Sequence, residues 1–142
     1  MSLLFGIFLK TYFVMEIFET LAENESVIVM SKNHSRIARR LNVLLTPAEA
    51  KFDVLPELEL DLSTGKSKPD ICIYPKLQYD WEKDVVWMTD PPVSTIEILS
   101  PKQAINDLIE KIRDAYFPAG VQSAWLVVPP LKTVYVYYPG QE

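Results

Sequence analysis

Three residues in this sequence carry side chains that could act together on a phosphodiester bond. Glu97 lies at the centre of an apolar stretch, residues 93–99, that is typical of a buried β-strand. A carboxylate in that setting is costly unless it is paired or binds a metal. Asp70 opens a second apolar strand, and Lys111 follows on an amphipathic helix. Two carboxylates and an ammonium group predict metal-dependent phosphodiester hydrolysis.

Each of these residues also has a structural interpretation. Glu97 could be paired with an arginine or lysine, Asp70 could be a turn residue after proline, and Lys111 could pair with Asp107 at i,i+4. We favour the functional interpretation, because one or two carboxylates with phosphate oxygens commonly hold Mg²⁺. We therefore expect Asp70 and Glu97 to bind Mg²⁺ or Mn²⁺. Lys111, at the margin of the buried helix face, could reach over the sheet and position a water.

Other polar residues are weaker candidates. Glu25 could supply a third carboxylate. His34, next to Asn33 on a predicted helix, favours a capping or structural role over that of a general base. A basic helix face is usually only solvated, but this one offers the best phosphate contacts in the chain. Its residues, which we predict tentatively to bind nucleic acid, are Lys32, Arg36, Arg39 and Arg40.

The elements that must position these residues can be read from hydrophobic periodicity, caps and turn residues. A mixed β-sheet flanked by helices, an α/β fold, is the simplest architecture that they allow. The stretch from strand 93–99 through the following helix to strand 121–128 has the length of a βαβ crossover. This length predicts that these two strands are parallel. The predicted elements are helix 3–22, strand 26–30, a helix from Ser31 or Asn33 to about Leu45, strand 51–62, a turn at 63–68, strand 69–74, a polar connection 76–92, strand 93–99, a helix that begins at Ser100-Pro101, and strands 121–128 and 133–138.

Length and composition limit the classes of protein to which this chain could belong. The 142 residues predict one domain, residues 1–142, and 49% hydrophobic content supports a real core. A net charge of −5 argues against a protein that coats nucleic acid generally, although a local basic groove is still compatible with it. The single cysteine, Cys72, lies in an apolar strand and has no internal disulfide partner, which favours a core role and a cytoplasmic location.

The N-terminal segment is apolar but interrupted by Lys10 and Glu16. It is shorter than a membrane span and lacks the features of a secretory signal, so we expect no membrane association. We interpret residues 1–22 as a helix that packs on the core or on a second subunit. Together with a tyrosine cluster near the C-terminus, this apolar surface predicts a homodimer. The cluster consists of Tyr135, Tyr137 and Tyr138.

Several short motifs together resemble a known family. They are Pro69-Asp70, Ile96-Glu97-Ile98-Leu99-Ser100-Pro101, Asp107, Lys111, Tyr116, Ala119-Gly120-Val121 and Trp125-Leu126-Val127, with a looser match at Asn24-Glu25 and His34. On these residues the chain, from about residue 24 onward, resembles the restriction endonucleases of the Uma type, in the PD-(D/E)xK nuclease superfamily. The resemblance implies a restriction-endonuclease-like fold, a DNA substrate and a divalent cation.

The sequence departs from the superfamily pattern at one position. The signature places a lysine two residues after the second acid, where this chain has Leu99. In Uma-type proteins the following helix supplies the lysine, which makes Lys111 its substitute. Two alternatives stay open: a catalytically silent nuclease fold that binds nucleic acid or a protein partner, and a structural homodimer.

Overall fold

The computed structural model describes residues 30–141, which form a five-stranded sheet with helices on both faces. The predicted first helix, Glu25 and all but the last residue of the predicted strand 26–30 lie outside the described residues. The elements in chain order are α1 (Lys32–Leu45), a 3₁₀ turn (Thr46–Ala50), β1 (Phe52–Pro56), β2 (Leu60–Leu62), β3 (Gly65–Ser67), β4 (Ile71–Pro75), β5 (Ser94–Ile98), α2 (Ile105–Glu110), a π-helical segment (Lys111–Tyr116), α3 (Phe117–Ala119), β6 (Ser123–Val128), a 3₁₀ turn (Pro129–Leu131) and β7 (Thr133–Tyr137).

The large sheet has the strand order β1-β4-β5-β6-β7 and is mixed. β5 and β6 are parallel, as the crossover length predicts, and the other neighbours are antiparallel. The run from α2 to α3 provides the crossover between β5 and β6. The prediction of an α/β fold with a mixed sheet flanked by helices is therefore confirmed.

Alternating side chains of the central strands build two cores, one on each face of the sheet. Ile96 and Ile98 of β5 pack on the face that α1 covers, where Ile37 and Leu41 meet them. Leu126 of β6 packs on the opposite face, beneath α2 and the π-helical segment. All five residues of β5 are buried, so its one carboxylate cannot reach bulk water as a surface acid would.

The predicted strand at residues 51–62 is wrong, because the chain forms two strands there. β1 ends at Pro56, and Glu57 adopts a positive φ of 53°, which takes the backbone out of extended geometry. Leu60 and Leu62 then enter the core opposite the one that Val54 joins. The predicted turn at 63–68 is also too long, since Gly65–Ser67 pairs with Leu60–Leu62 as a hairpin.

The crossover helix begins later than Ser100-Pro101. The Gln103 N–H donates to the Ser100 carbonyl over 3.1 Å, which closes a turn, and Ala104 remains extended at ψ 135°. The helix therefore begins at Ile105, and its segment Lys111–Tyr116 is π-helical. No helix among residues 30–141 is long and apolar enough to cross a membrane.

Candidate active site

The pairing of β4 with β5 places Asp70 opposite Glu97. The antiparallel register joins Ile71 to Ile96 and Cys72 to Thr95. Extending it by one residue aligns Asp70, which immediately precedes β4, with Glu97. Residues directly opposite each other in an antiparallel pair project from the same face, with Cβ atoms about 5 Å apart. The sheet therefore brings the two predicted carboxylates together.

Asp70 is held at the end of the sheet by two neighbours. The Ile98 N–H donates to Asp70 Oδ2 over 2.7 Å, which ties the carboxylate to the carboxyl end of β5. Nε2 of His34, in the first turn of α1, lies 3.1 Å from Asp70 Oδ1. The two atoms are close, but the contact does not have the geometry of a hydrogen bond. Asp70 is therefore oriented through one oxygen and flanked by an imidazole at the other.

Glu97 is buried, and one of its oxygens takes two contacts. Lys111 Nζ lies 2.7 Å from Glu97 Oε1, and the Tyr116 hydroxyl donates to the same oxygen. Ser67 of the β2–β3 hairpin donates in turn to the Tyr116 hydroxyl over 3.2 Å. No residue in the described range donates to Oε2 of Glu97. The second carboxylate oxygen is thus the one available to a ligand.

The π-helical segment explains how one helix presents both Lys111 and Tyr116 to a single oxygen. In an α-helix with 3.6 residues per turn, side chains five apart point about 140° away from each other. A π-helix bonds i to i+5, which brings residues with that spacing onto one face. The Lys111 ammonium also lies 5.4 Å from the centre of the Tyr116 ring, a cation–π contact. The hairpin anchors this segment, because Thr64 Oγ1 donates to the Ala115 carbonyl over 2.7 Å.

Burial sets the protonation behaviour of the site. It raises the pKa of Glu97 above its usual value, and the nearby Asp70 carboxylate raises that pKa further. Lys111 and the Tyr116 hydroxyl oppose the rise because both stabilise the ionised form. Burial and the Glu97 charge raise the pKa of Tyr116 well above its usual range, so its hydroxyl stays a donor. Burial also raises the pKa of Cys72 to about 12, which keeps it a core thiol.

The raised pKa of Glu97 predicts that Glu97→Gln changes how stability depends on pH. As pH rises, a carboxyl group whose pKa is raised in the folded protein keeps its proton at pH values where the same group in the unfolded chain has already lost it. Wild-type stability from this group therefore falls as pH rises above about 4.5 and levels off above the folded pKa. We expect Glu97→Gln to lack this fall and, in EDTA at pH 8, to be at least as stable as wild type. Urea unfolding of both proteins between pH 5 and 8 measures the difference.

The opposite outcome would identify a structural ion pair. If Glu97→Gln loses more than about 2 kcal/mol at pH 8, the unpaired Lys111 costs more than the buried charge did. Glu59→Gln is the matched control, because Glu59 lies outside the site and pairs with Lys68, where the two side chains are 37% and 51% exposed. Its curve should follow that of the wild type.

The remaining residues singled out in the sequence differ in their burial and contacts. Leu99 is half-buried among core residues and has no polar group to offer. The four basic residues of α1 are exposed, so they are free to meet a polyanion, and they lie on the helix that carries His34. His34 itself is 1% exposed beside Asp70, a contact that sequence reasoning missed. Tyr116, which belongs to the family motifs but had no predicted role, also contacts Glu97.

Comparison with known proteins is consistent with this geometry. A family model described as "Uma2: Putative restriction endonuclease" matches residues 18–142. The chain is also similar to a crystal structure described as "a putative nuclease belonging to DUF820" from Anabaena variabilis. That similarity has a TM-score of 0.62 and 27% identity, and covers 76% of this chain and 61% of the other. The chain therefore spans about three fifths of that protein's length. No curated protein matches the sequence.

Proposed function

Because the chain belongs to the Uma2 family of restriction-endonuclease-like proteins, we propose that it is a metal-dependent endonuclease that hydrolyses phosphodiester bonds of DNA. The observation that carries the proposal is the 2.7 Å contact of Lys111 Nζ with Glu97, opposite Asp70. Leu99 occupies the superfamily's lysine position, and a cation from the crossover helix takes its place beside the acids.

The donor set fits a hard divalent cation such as Mg²⁺ or Mn²⁺. Within residues 30–141, no group of three or more His, Cys, Asp or Glu side chains could hold a metal ion. Zinc sites in proteins, by contrast, have three or four such ligands. Two carboxylates are sufficient for Mg²⁺, which usually keeps several waters and binds substrate phosphates. Asp70 and Glu97 would hold the cation, with Oε2 of Glu97 open to it. When bound, it would polarise the phosphate and lower the pKa of a bound water.

The protein residues contribute positioning and charge. Hydrolysis requires a water oxygen to attack phosphorus while one phosphorus–oxygen bond to a sugar breaks. The Lys111 ammonium, fixed against Glu97, orients that water and stabilises the negative charge that develops on the phosphate oxygens. The Tyr116 hydroxyl shares the same Glu97 oxygen and keeps the carboxylate in place. The Ile98 N–H does the same for Asp70.

The exposed basic side chains of α1 would contact the DNA backbone. The chain as a whole is acidic, so attraction to DNA needs a local positive surface. Such contacts bind phosphates without reading sequence. We assign this role to Lys32, Arg36, Arg39 and Arg40.

The deciding experiment is Mg²⁺-dependent nicking of supercoiled plasmid by highly purified protein. Wild type should nick with Mg²⁺ or Mn²⁺ and lose the activity in EDTA. If no DNA is nicked while Mn²⁺ still binds, the silent nuclease fold becomes the better interpretation. If the protein neither nicks DNA nor binds Mn²⁺, the structural homodimer becomes the better interpretation.

We further propose that the protein is a homodimer in solution. β7 forms one edge of the large sheet and exposes large side chains, including Tyr135 at 42% and Val136 at 41%. An exposed apolar edge strand favours pairing with a second chain. Light scattering at high micromolar concentration should therefore give a dimer mass, and Val136→Lys should give a monomer. Tyr79→Lys, at another exposed aromatic residue, is the control that should stay dimeric; a monomeric wild type would contradict the proposal.

A further inference from the structure

A cavity of about 380 Å³ opens at the N-terminus of α1, beside His34, whose Nε2 lies 3.1 Å from Asp70 Oδ1. Ser31, Asn33 and His34 form one wall, and the segment that follows β5, with Leu99 and Ser100, forms another. Pro129 and Pro130, from the turn between β6 and β7, close the far side. The volume lies at the small end of the range for ligand sites.

Two buried polar residues that line this cavity have unused hydrogen-bonding capacity. Ser100 is 3% exposed, and its Oγ has no partner among the described residues. His34 is 1% exposed, and neither of its ring nitrogens makes a hydrogen bond in the described range, although Nε2 lies 3.1 Å from Asp70 Oδ1. Most buried polar groups in proteins have a partner, and an unpaired one calls for an explanation. Both residues line the same cavity, which points to a polar ligand there.

The backbone of α1 gives a partial positive charge to the wall of the cavity that its first turn forms. The N–H groups in the first turn of a helix have no intrahelical acceptor, and the helix dipole favours an anion at this end. α1 runs for 14 residues and has no acidic side chain in its first turn to compensate. Ser31 caps only the N–H of His34, over 3.1 Å. The N–H group of Asn33, which lines the cavity, and that of the preceding Lys32 are therefore available to donate hydrogen bonds to an anion's oxygens.

From these contacts we infer that the cavity is a phosphate-binding subsite next to the acid pair. The first-turn N–H groups and the Ser100 hydroxyl donate to the phosphate oxygens. The phosphate is either an internal phosphate neighbouring the scissile one or the terminal phosphate of a strand. Assigning it to a nucleic-acid strand rests on the proposed nuclease function, whereas the phosphate site itself rests on the contacts alone.

The test is titration with inorganic phosphate in EDTA at constant ionic strength, followed by the amide NMR signals of Lys32 and Asn33. Wild type should give saturable shifts at these two signals. Ser100→Ala should weaken phosphate binding about tenfold, because it removes a donor to a charged group. It should not destabilise the fold, since the hydroxyl it removes has no partner. Ser63→Ala, in the exposed turn of the β2–β3 hairpin, should bind phosphate as wild type does.

Duplex oligonucleotides with and without a 5′-phosphate then separate the two sources. Tighter binding of the phosphorylated duplex, lost in Ser100→Ala, identifies a terminal phosphate. Equal binding of both duplexes, weakened equally in Ser100→Ala, identifies an internal one. The inference is overturned if phosphate gives no saturable shift, or if Ser100→Ala binds it as tightly as Ser63→Ala. Because EDTA excludes turnover, a failure of nuclease activity leaves this result unaffected.

Discussion

Lys111→Ala is expected to slow Mg²⁺-dependent plasmid nicking by at least about 100-fold, the usual cost of losing one preorganised group that stabilises transition-state charge. The side chain is 25% exposed and its ammonium lies 2.7 Å from Glu97. No other lysine or arginine in the described residues contacts either acid of the pair. In the proposed mechanism, its loss removes the positive charge that stabilises the reacting phosphate. The loss also lets the pKa of Glu97 rise further, because Lys111 now lowers it.

The matched control for this prediction is Lys83→Ala. Lys83 is exposed in the long connection before β5, so its removal tests the general effect of one lost positive charge on DNA binding. Nicking by Lys83→Ala should stay within a few-fold of wild type. Equal nicking by wild type and Lys111→Ala would exclude a catalytic role for Lys111. Recovery of the Lys111→Ala rate at high pH would show that Lys111 acts through the ionisation of Glu97 rather than on the substrate.

Mn²⁺ is expected to stabilise the wild-type fold through the acid pair. A ligand that binds only the folded state adds about 2.7 kcal/mol when its free concentration is 100 times its Kd. Asp70→Ala and Glu97→Ala should each abolish this gain, because each removes one of the two carboxylates. Thermal unfolding with increasing Mn²⁺ measures it, and the quantity compared is the rise in Tm above each protein's own EDTA value.

An exposed carboxylate elsewhere provides the control for this metal experiment. Asp61→Ala, on the small β2–β3 sheet, should keep the full Mn²⁺-dependent rise. Equal rises in wild type, Asp70→Ala and Glu97→Ala would place the cation somewhere other than the acid pair. That result would remove the metal from the proposed mechanism.

Sequence reasoning succeeds here where a local pattern and the tertiary structure agree. β4 and β5 are short apolar strands, as predicted. All five residues of β5 and three of the five in β4 are buried, and the pairing of the two strands brings Asp70 and Glu97 together. Ser31 caps α1 as its residue type predicts. The crossover length predicts the parallel pairing of β5 with β6. These features follow from neighbouring residues or from chain connectivity.

The failures arise where contacts distant in sequence decide the structure. Alternation through residues 51–62 continues across Glu57, so nothing local reveals that the chain leaves one sheet for another. Proline is tolerated in a first helical turn, which made Pro101 a plausible start, but the chain turns at Gln103 before the helix begins. His34 approaches Asp70 only because α1 packs against the end of the sheet. A single histidine on a capped helix gives no local sign of that contact.

The change from α to π geometry at Lys111 also affects how relatives of this protein should be aligned. Here the lysine and the tyrosine that contact Glu97 are five residues apart, whereas an α-helical relative would present the same two side chains with a spacing of four. A motif with fixed spacing finds one form and misses the other. A search that permits a single-residue gap within this helix, and none within β5, would recognise both.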